Sequence, residues 1–169
     1  MPGILSLIGI DPISAIVSGI SAINNVRLGN IEEKAQLEEV LEELKFNLTI
    51  IKDDYLKNEI SIEVIIPVLK INKLESAEKA RKRKKLDFNK IKSGKVHKSC
   101  LINDHQIKYY SEFDTEQIFL KLREKIIEIK KARQIYFKRN KWNNKINPKS
   151  RMNTIEGLFV LLSNHISMK

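Results

Sequence analysis

A run of apolar residues at alternating intervals of four and three residues constrains the fold of this chain more than any other feature. The run consists of Leu37, Leu41, Leu44, Leu48, Ile51 and Tyr55. A repeat of 3.5 residues keeps apolar side chains on one side of a helix, where they pack against neighbouring helices. We therefore predict a long helix from about Asn30 to Asn58 that belongs to a bundle.

Two further stripes with helical spacing lie in the second half of the chain. The first follows the helix-start signals Asp114 and Thr115, and it comprises Phe119, Leu122, Ile126, Ile129, Ala132 and Tyr136. The second is placed in a last helix that is expected to start at Asn153, and it comprises Ile155, Leu158, Phe159, Leu162 and Ile166. With only 6 Gly and 4 Pro among 169 residues, the chain favours long helices over turns. We predict one all-α domain over residues 1–169, an antiparallel bundle of four to five helices.

The stretch between the stripes is harder to interpret. Residues 60–71 alternate like a strand but contain Pro67, so a buried helical end or a kink is expected there. Residues 70–113 are polar and basic, and we expect them to form a flexible insertion. Within this insertion, residues 96–110 are expected to form either a small hairpin or an irregular segment.

The N-terminal segment, residues 1–28, is apolar, and Asp11 is its only charge before Arg27. Asp11 followed by Pro12 is typical of a helix start. The residues predicted to serve membrane binding or assembly are Ile4, Leu7, Ile8, Ile13, Ile16, Val17, Gly19, Ile20 and Ile23. The pattern fits an amphipathic helix that is masked in the soluble form, and it equally fits a helix packed in the core of a bundle.

Charge is segregated along the chain, whose formal net charge is +10. Residues 31–66 hold 10 acids and 4 bases, whereas residues 67–98 hold 12 bases and 3 acids. Such segregation indicates either that one part of the fold neutralises another or that the protein binds an external anionic partner.

Two basic tracts are the candidates for contact with an anionic partner. Their residues are Arg81, Lys82, Arg83, Lys84 and Lys85 in the first tract, and Lys138, Arg139, Lys141, Trp142 and Lys145 in the second. Lys and Arg neutralise phosphates, and an aromatic residue can stack on a base or lie at the headgroup boundary of a bilayer. Lipid and nucleic acid both remain open, as does a structural role in which these bases pair with the glutamates near residue 40.

The sequence contains no pattern typical of an enzyme, and we expect none of the residues to be catalytic. His97, Cys100, Asp104 and His105 are metal-capable groups, but a structural zinc site requires further ligands from a second segment. We therefore expect no metal site and no cofactor. The single cysteine also excludes an internal disulfide.

An apolar, Gly-, Ala- and Ser-rich N-terminus followed by an acidic heptad helix and basic helices resembles the HeLo-like four-helix-bundle domains of fungal cell-death proteins, the necroptosis executioner and bacterial immunity effectors. The resemblance implies a bundle that is inert until a trigger causes it to oligomerise and permeabilise a membrane. It would make residues 4–23 the inserting region and the basic tracts the headgroup contacts.

We thus expect a cytoplasmic, non-enzymatic, self-assembling helical effector that associates with an anionic membrane on activation, as a homo-oligomer or as a subunit of a larger assembly. The alternative is a nucleic-acid-binding or virion-associated helical protein, because some phage structural and DNA-ejection proteins look similar.

Overall fold

The computed structural model describes residues 13, 14, 16–18, 31–139, 142 and 147–168. The α-helices in these ranges are α1 (Ile31–Thr49), α2 (Ile62–Val68), α3 (Asn72–Lys82), α4 (Asp104–Tyr110), α5 (Thr115–Arg139) and α6 (Pro148–Ser167). Short 3₁₀ turns cover Phe88–Lys90 and Lys98–Cys100. An isolated bridge between Lys95 and Asp114 is the only β feature among the described residues. The all-α class is confirmed for this part of the chain.

The predicted first long helix is confirmed, and its last part adopts a different geometry. Helix α1 continues directly into a π-helix over Ile50–Lys57. The five aliphatic residues of the 3.5-residue run are completely buried, and Tyr55 is half-buried. The apolar spacing therefore identified the buried side of this segment, although it did not indicate the change from α- to π-helix.

The two stripes of the second half are buried as well, and α6 is buried on more than one side. The residues of the α5 stripe from Phe119 to Ala132 are all inaccessible or nearly so. In α6 every residue from Ile155 to His165 is buried, including the polar residues Ser163 and Asn164. Since α5 is the main neighbour of α6, these two helices form the centre of the described core.

Helix α5 starts at Thr115, in agreement with the sequence prediction, and the capping contacts explain why. The Asp114 carboxylate accepts a hydrogen bond from the Gln117 backbone N–H, and the Gln117 amide oxygen accepts one from the Asp114 N–H, both at 2.9 Å. This reciprocal pair is a capping box, which satisfies two backbone donors that the first turn leaves without partners.

Helix α6 starts earlier than the predicted Asn153. The Asn147 side chain accepts a hydrogen bond from the Ser150 N–H at 3.1 Å, and Pro148 occupies the first helical position. Proline fits there because it lacks the N–H that would have no partner. Asn147 and Pro148 thus begin this helix, five residues before the position that the sequence analysis assigned.

Of the two alternatives given for residues 96–110, the hairpin is wrong and the irregular segment does not extend to the end of the range, because Asp104–Tyr110 form helix α4. The Asn103 side chain caps this helix by accepting a hydrogen bond from the Gln106 N–H at 2.9 Å. Gln106 is itself buried: its amide group accepts from the Ile102 N–H and donates to the Gly157 carbonyl in α6. These contacts hold α4 on α6 and favour helix over strand.

Residues 70–113, interpreted above as an insertion, contribute many side chains to the hydrophobic core. They are Ile71, Leu74, Ala77, Leu86, Phe88, Ile91, Val96, Cys100, Leu101 and Tyr110. The Phe88 ring stacks on the Phe119 ring of α5, with 4.7 Å between centroids. Helix α3 is the main helical neighbour of α1, so part of this stretch covers the first long helix.

Candidate anionic-partner surfaces

The first basic tract, Arg81–Lys85, surrounds the C-terminal end of α3. Arg81 forms an ion pair with Glu116 in α5 at 2.7 Å, and Lys82 pairs with Glu78 at 3.0 Å. The remaining three bases are Arg83, Lys84 and Lys85, which are exposed and pair with no carboxylate among the described residues. Only these three are free to contact an anionic partner without breaking a visible ion pair.

Lys84 has an unusual backbone conformation. Its φ angle is 57°, in the left-handed region that favours glycine. The Lys85 N–H donates to the Ala80 carbonyl at 2.9 Å, and the Lys84 N–H donates to the Arg81 carbonyl at 2.8 Å. These bonds form a Schellman motif at the end of α3, in which the left-handed position is usually glycine. The motif turns the chain sharply and presents three consecutive cations to solvent.

Two of the bases in α5 that precede the second tract, Lys130 and Arg133, are used inside the fold. Lys130 donates through Nζ to the carbonyls of Ile66, Pro67 and Leu69 at the end of α2. Burial, and then the nearby charge of Arg133, lower the pKa of Lys130. Such a lysine stabilises the carbonyl end of a short helix. Its role is structural.

Arg133 joins α5 to α2 and also supports an exposed aromatic ring. Its Nε donates to the Glu63 carbonyl at 2.7 Å, and its guanidinium lies 4.3 Å from the ring centroid of Phe137. Trp142 donates through its indole nitrogen to the Glu63 carboxylate at 3.2 Å and stacks on Tyr136 at 4.8 Å. Trp142, which the sequence analysis assigned to partner contact, is therefore half-buried against the protein.

Exposed apolar side chains lie beside these contacts. Phe137 is 60% exposed, and Val64 and Val68, one turn apart on α2, are 56% and 43% exposed. Lys138 and Arg139 follow Phe137 and are exposed, without a carboxylate partner in the described part of the chain. We call Val64, Val68, Phe137, Lys138 and Arg139 the α2–α5 surface. Sequence reasoning missed its two valines, because a 7-residue helix with proline has too short a pattern to separate exposed from buried positions.

The two basic tracts do not form one surface. Arg81 contacts Glu116 near the start of α5, whereas Lys138 and Arg139 are at its end. At 1.5 Å per residue, the helix separates these points by about 33 Å. A partner must therefore engage two distant sites or only one of them. Lys141 and Lys145 lie outside the described residues.

Five residues of the N-terminal segment are described, and three of them are predicted membrane or assembly residues. Ile16 is completely buried in the core cluster, Ile13 is half-buried against it, and Val17 is 40% exposed. The predicted membrane or assembly residues Ile4, Leu7, Ile8, Gly19, Ile20 and Ile23 lie outside the described residues. Within the described ranges, no helix combines the length and apolar character needed to span a bilayer.

Each of the metal-capable residues near position 100 makes a different contact within the fold. Cys100 is buried and its sulfur lies 3.0 Å from the Met168 sulfur, while burial raises the pKa of its thiol. The His97 ring caps the turn Lys98–Cys100, and the His105 ring packs on Tyr109. Among the described residues, no three His, Cys, Asp or Glu side chains are grouped so that they could hold a metal ion.

No protein-family model, no curated protein and no solved structure matches this chain.

Proposed function

We propose that this protein is a non-enzymatic, self-assembling helical effector that docks on an anionic membrane through the α2–α5 surface. The exposed ring of Phe137 beside Lys138 and Arg139 is the observation that carries the proposal. Cations attract the molecule to anionic headgroups, and an exposed aromatic ring gains from burial at the headgroup boundary.

A membrane explains the valines of this surface better than a nucleic acid does. Val64 and Val68 expose aliphatic groups that cannot stack on bases but gain free energy when they leave water. Arg133 already covers part of the Phe137 ring, which reduces the area available to a base. The same exposed apolar groups would serve contact between copies of the chain, as self-assembly requires.

The N-terminal segment has a second role in this proposal. Because Ile16 is packed in the core, the segment must leave the core before it can enter a bilayer. The soluble form is then a cytoplasmic antiparallel bundle of four to five main helices with the segment masked. Docking is followed by its release and by oligomerisation, as the resemblance to HeLo-like domains implies.

Co-sedimentation with vesicles tests the docking step. We expect binding to phosphatidylserine-containing vesicles and little binding to pure phosphatidylcholine vesicles. The double variant Phe137→Ala/Lys138→Gln should weaken binding at least about fivefold, since one base near the surface contributes about 1 kcal/mol. The matched control is Ile107→Ala/Lys108→Gln, which removes another exposed apolar residue and its neighbouring lysine. Equal loss of binding in the two double variants would contradict the proposed surface.

Dye release from the same vesicles tests the membrane-active step. The intact chain should cause leakage and form cross-linkable oligomers on anionic vesicles only. Deletion of residues 1–24 should abolish leakage, and circular dichroism will show whether the helical fold survives the deletion. Undiminished leakage by a folded, truncated chain would remove the N-terminal segment from the mechanism.

A second candidate function, nucleic-acid binding, rests on the first basic tract. Arg83, Lys84 and Lys85 are exposed without a visible carboxylate partner and without an exposed aromatic residue beside them, which suits phosphate contact independent of sequence. Lys84→Gln/Lys85→Gln should then lower the salt dependence of DNA binding by about two counterions, one for each lysine. Lys98→Gln is the control at another exposed lysine. Absence of any DNA binding at low salt would dismiss this function.

A further inference from the structure

A cavity of 320 Å³ lies where α4, α5 and α6 meet. One of its walls is aromatic. The His105 ring packs on Tyr109 and Tyr110, with centroid distances of 4.6 and 5.9 Å, and Tyr110 meets Phe113 edge to face at 5.0 Å. Tyr109 is 53% exposed, and the Lys108 Nζ lies 5.2 Å from its ring centroid, so a planar ligand on this ring would share it with a cation.

The cavity is also lined by cations. Lys121 and Lys125 lie one turn apart on α5, and Arg151 approaches from α6. Their carboxylate partners, Glu124 and Glu128, do not line the cavity. The three cations and two carboxylates together have a net charge of +1. The cations line the cavity, whereas the carboxylates do not.

Lys125 is the most buried of these cations, and it keeps its charge. Burial favours the neutral amine, but the hydrogen bonds to Glu128 and Glu124 outweigh this effect and raise the pKa of Lys125. The bond to Glu128 measures 3.0 Å. A charged lysine held in place in this way is ready to bind a phosphate without first being ordered.

A second cavity of 480 Å³ adjoins the first and shares His105, Tyr110 and Thr154 with it. Its lining includes the polar side chains Asn103, Asp104 and Asn153. Amide side chains donate and accept hydrogen bonds at the edges of a heterocyclic base. The two cavities together have the size of known small-ligand sites.

The floor of this site is held in place before any ligand binds. Gln106, buried between α4 and α6, donates to the Gly157 carbonyl at 3.1 Å and accepts from the Ile102 N–H at 3.0 Å. A Cβ atom added at Gly157 would lie 3.4 Å from the Gln106 side chain, an ordinary van der Waals distance. The hydrogen bond from Gln106 holds the aromatic residues of α4 against α6.

We infer that the joined cavities between α4, α5 and α6 bind a nucleotide. The phosphate contacts Lys121, Lys125 and Arg151, and the base stacks on the Tyr109 and His105 rings with its edge toward the amides of the second cavity. Base-to-aromatic stacking and phosphate-to-cation contact each contribute to affinity. A ligand that lacks either part uses only half of the site. The site shares no residue with the α2–α5 surface.

Isothermal titration calorimetry on the full chain tests this inference. The four ribonucleoside monophosphates, adenosine and inorganic phosphate are titrated separately at low salt. We expect at least one monophosphate to bind more tightly than both adenosine and phosphate. Tyr109→Ala, which removes the stacking ring, and Lys121→Gln, which removes a phosphate contact, should each weaken its binding about tenfold. Lys131→Gln, at an exposed lysine farther along α5, is the matched control and should leave binding unchanged.

Two results would overturn the inference. In the first, no monophosphate binds more tightly than inorganic phosphate, and the cations are then a general anion-binding surface. In the second, Tyr109→Ala and Lys121→Gln bind as the unmodified chain does, and any nucleotide then lies elsewhere. Because Tyr109 is half exposed and Lys121 is on the surface, both variants should fold, which circular dichroism will verify.

Discussion

Lys84 and Glu59 hold a backbone conformation that costs free energy for any residue with a Cβ atom. Their φ angles are 57° and 52°. At Glu59 the chain leaves the π-helix, and the Ile60 N–H donates to the Asp54 carbonyl at 2.9 Å. In both places a charged residue stands where a helix end usually has glycine. At Lys84 the strained position carries one of the three exposed cations of the first basic tract. This fits a role for the lysine in binding, because the fold itself would be better served by glycine.

Lys84→Gly should raise the free energy of unfolding by about 0.5–1 kcal/mol. Glycine relieves the left-handed strain of about 1–2 kcal/mol, and its greater freedom in the unfolded chain offsets part of the gain. Urea denaturation followed by circular dichroism measures the change. The same variant should bind anionic partners of the first tract more weakly, so stability and binding should move in opposite directions.

Glu59→Gly is the control for this prediction, because it changes the same backbone conformation without removing a cation. It should stabilise the protein by a similar amount. A loss of stability in both glycine variants would show that the lysine and glutamate side chains make contacts worth more than the strain.

At the scale of elements, polar side chains of α1 position α3. The Glu43 carboxylate accepts hydrogen bonds from the Lys73 and Leu74 N–H groups at 2.9 and 3.0 Å, and so caps the start of α3. One turn later the Asn47 amide makes two hydrogen bonds to the backbone of Lys70, both at 2.7 Å. The buried face of α1 therefore carries specific polar contacts as well as the aliphatic run.

Asn47→Ala should lower the free energy of unfolding by about 2–4 kcal/mol. Asn47 is completely buried. Its loss removes two hydrogen bonds to the backbone of Lys70, at about 0.5–1.5 kcal/mol each, and leaves a cavity that adds to the cost. Urea denaturation is again the measurement. Asn58→Ala, at an exposed asparagine just after the π-helix, should change stability by less than about 0.5 kcal/mol. Similar losses in both variants would mean that the Lys70 contacts contribute little.

The same elements show which parts of the fold the sequence could predict. The 3.5-residue run of α1 and the stripes of α5 and α6 were found because regular spacing reflects burial along a single helix. Helix α4 was missed because its 7 residues are too few for a period and include β-favouring Ile107 and Tyr109. The core contribution of residues 70–113 was missed because single apolar residues such as Phe88 are separated by polar ones.

The candidate sites differ in the same way, because local features could be predicted from the sequence and tertiary contacts could not. The basic tracts were visible because charge runs are local in sequence, whereas their ion pairs with residues such as Glu116 depend on the tertiary fold. The cavity of Tyr109, Lys121 and Arg151 draws on three helices. No local pattern joins residues that only the packing of separate elements brings together.

Over the whole molecule, part of the segregated charge is neutralised internally. The acidic residues of α1 pair with bases that follow it, as Glu39 does with Lys73 and Glu33 with Lys90. Glu78 in α3 pairs with Arg123 in α5, and Glu128 pairs with Arg151. The described bases without such pairs include Arg83, Lys84 and Lys85 near the start of α5 and Lys138 and Arg139 at its end, where the two candidate anionic-partner surfaces are located, and also single exposed lysines elsewhere, such as Lys98 and Lys108. Internal neutralisation and an external partner are thus compatible.

Stability of the whole fold should depend on pH through one buried histidine. His165 in α6 lies 3.0 Å from the Thr115 hydroxyl, which in turn donates to the Lys92 carbonyl. The hydroxyl oxygen therefore accepts from the His165 N–H, an arrangement that the neutral ring provides. Burial, and then the charge of Lys92, lower the pKa of His165 from its ordinary 6.5, against a smaller opposing effect of Asp114.

The lowered pKa of His165 determines how the free energy of unfolding changes with pH. Above about pH 6.5 the ring is neutral in both states, and its favourable contribution is complete. As the pH falls below that value, the unfolded chain takes up a proton that the folded chain resists, so the free energy of unfolding decreases toward the lowered pKa. The slope cannot exceed about 1.4 kcal/mol per pH unit for one proton.

Urea denaturation of the full chain between about pH 7.5 and pH 5 measures this loss. In His165→Gln, which keeps a donor for Thr115, the decrease over this range should be smaller than in the unmodified chain. His105→Gln, at an exposed histidine, should retain the full decrease. If His165→Gln loses as much stability on acidification as the unmodified chain, the pH dependence arises from other groups, and the contact between α5 and α6 does not sense pH through His165.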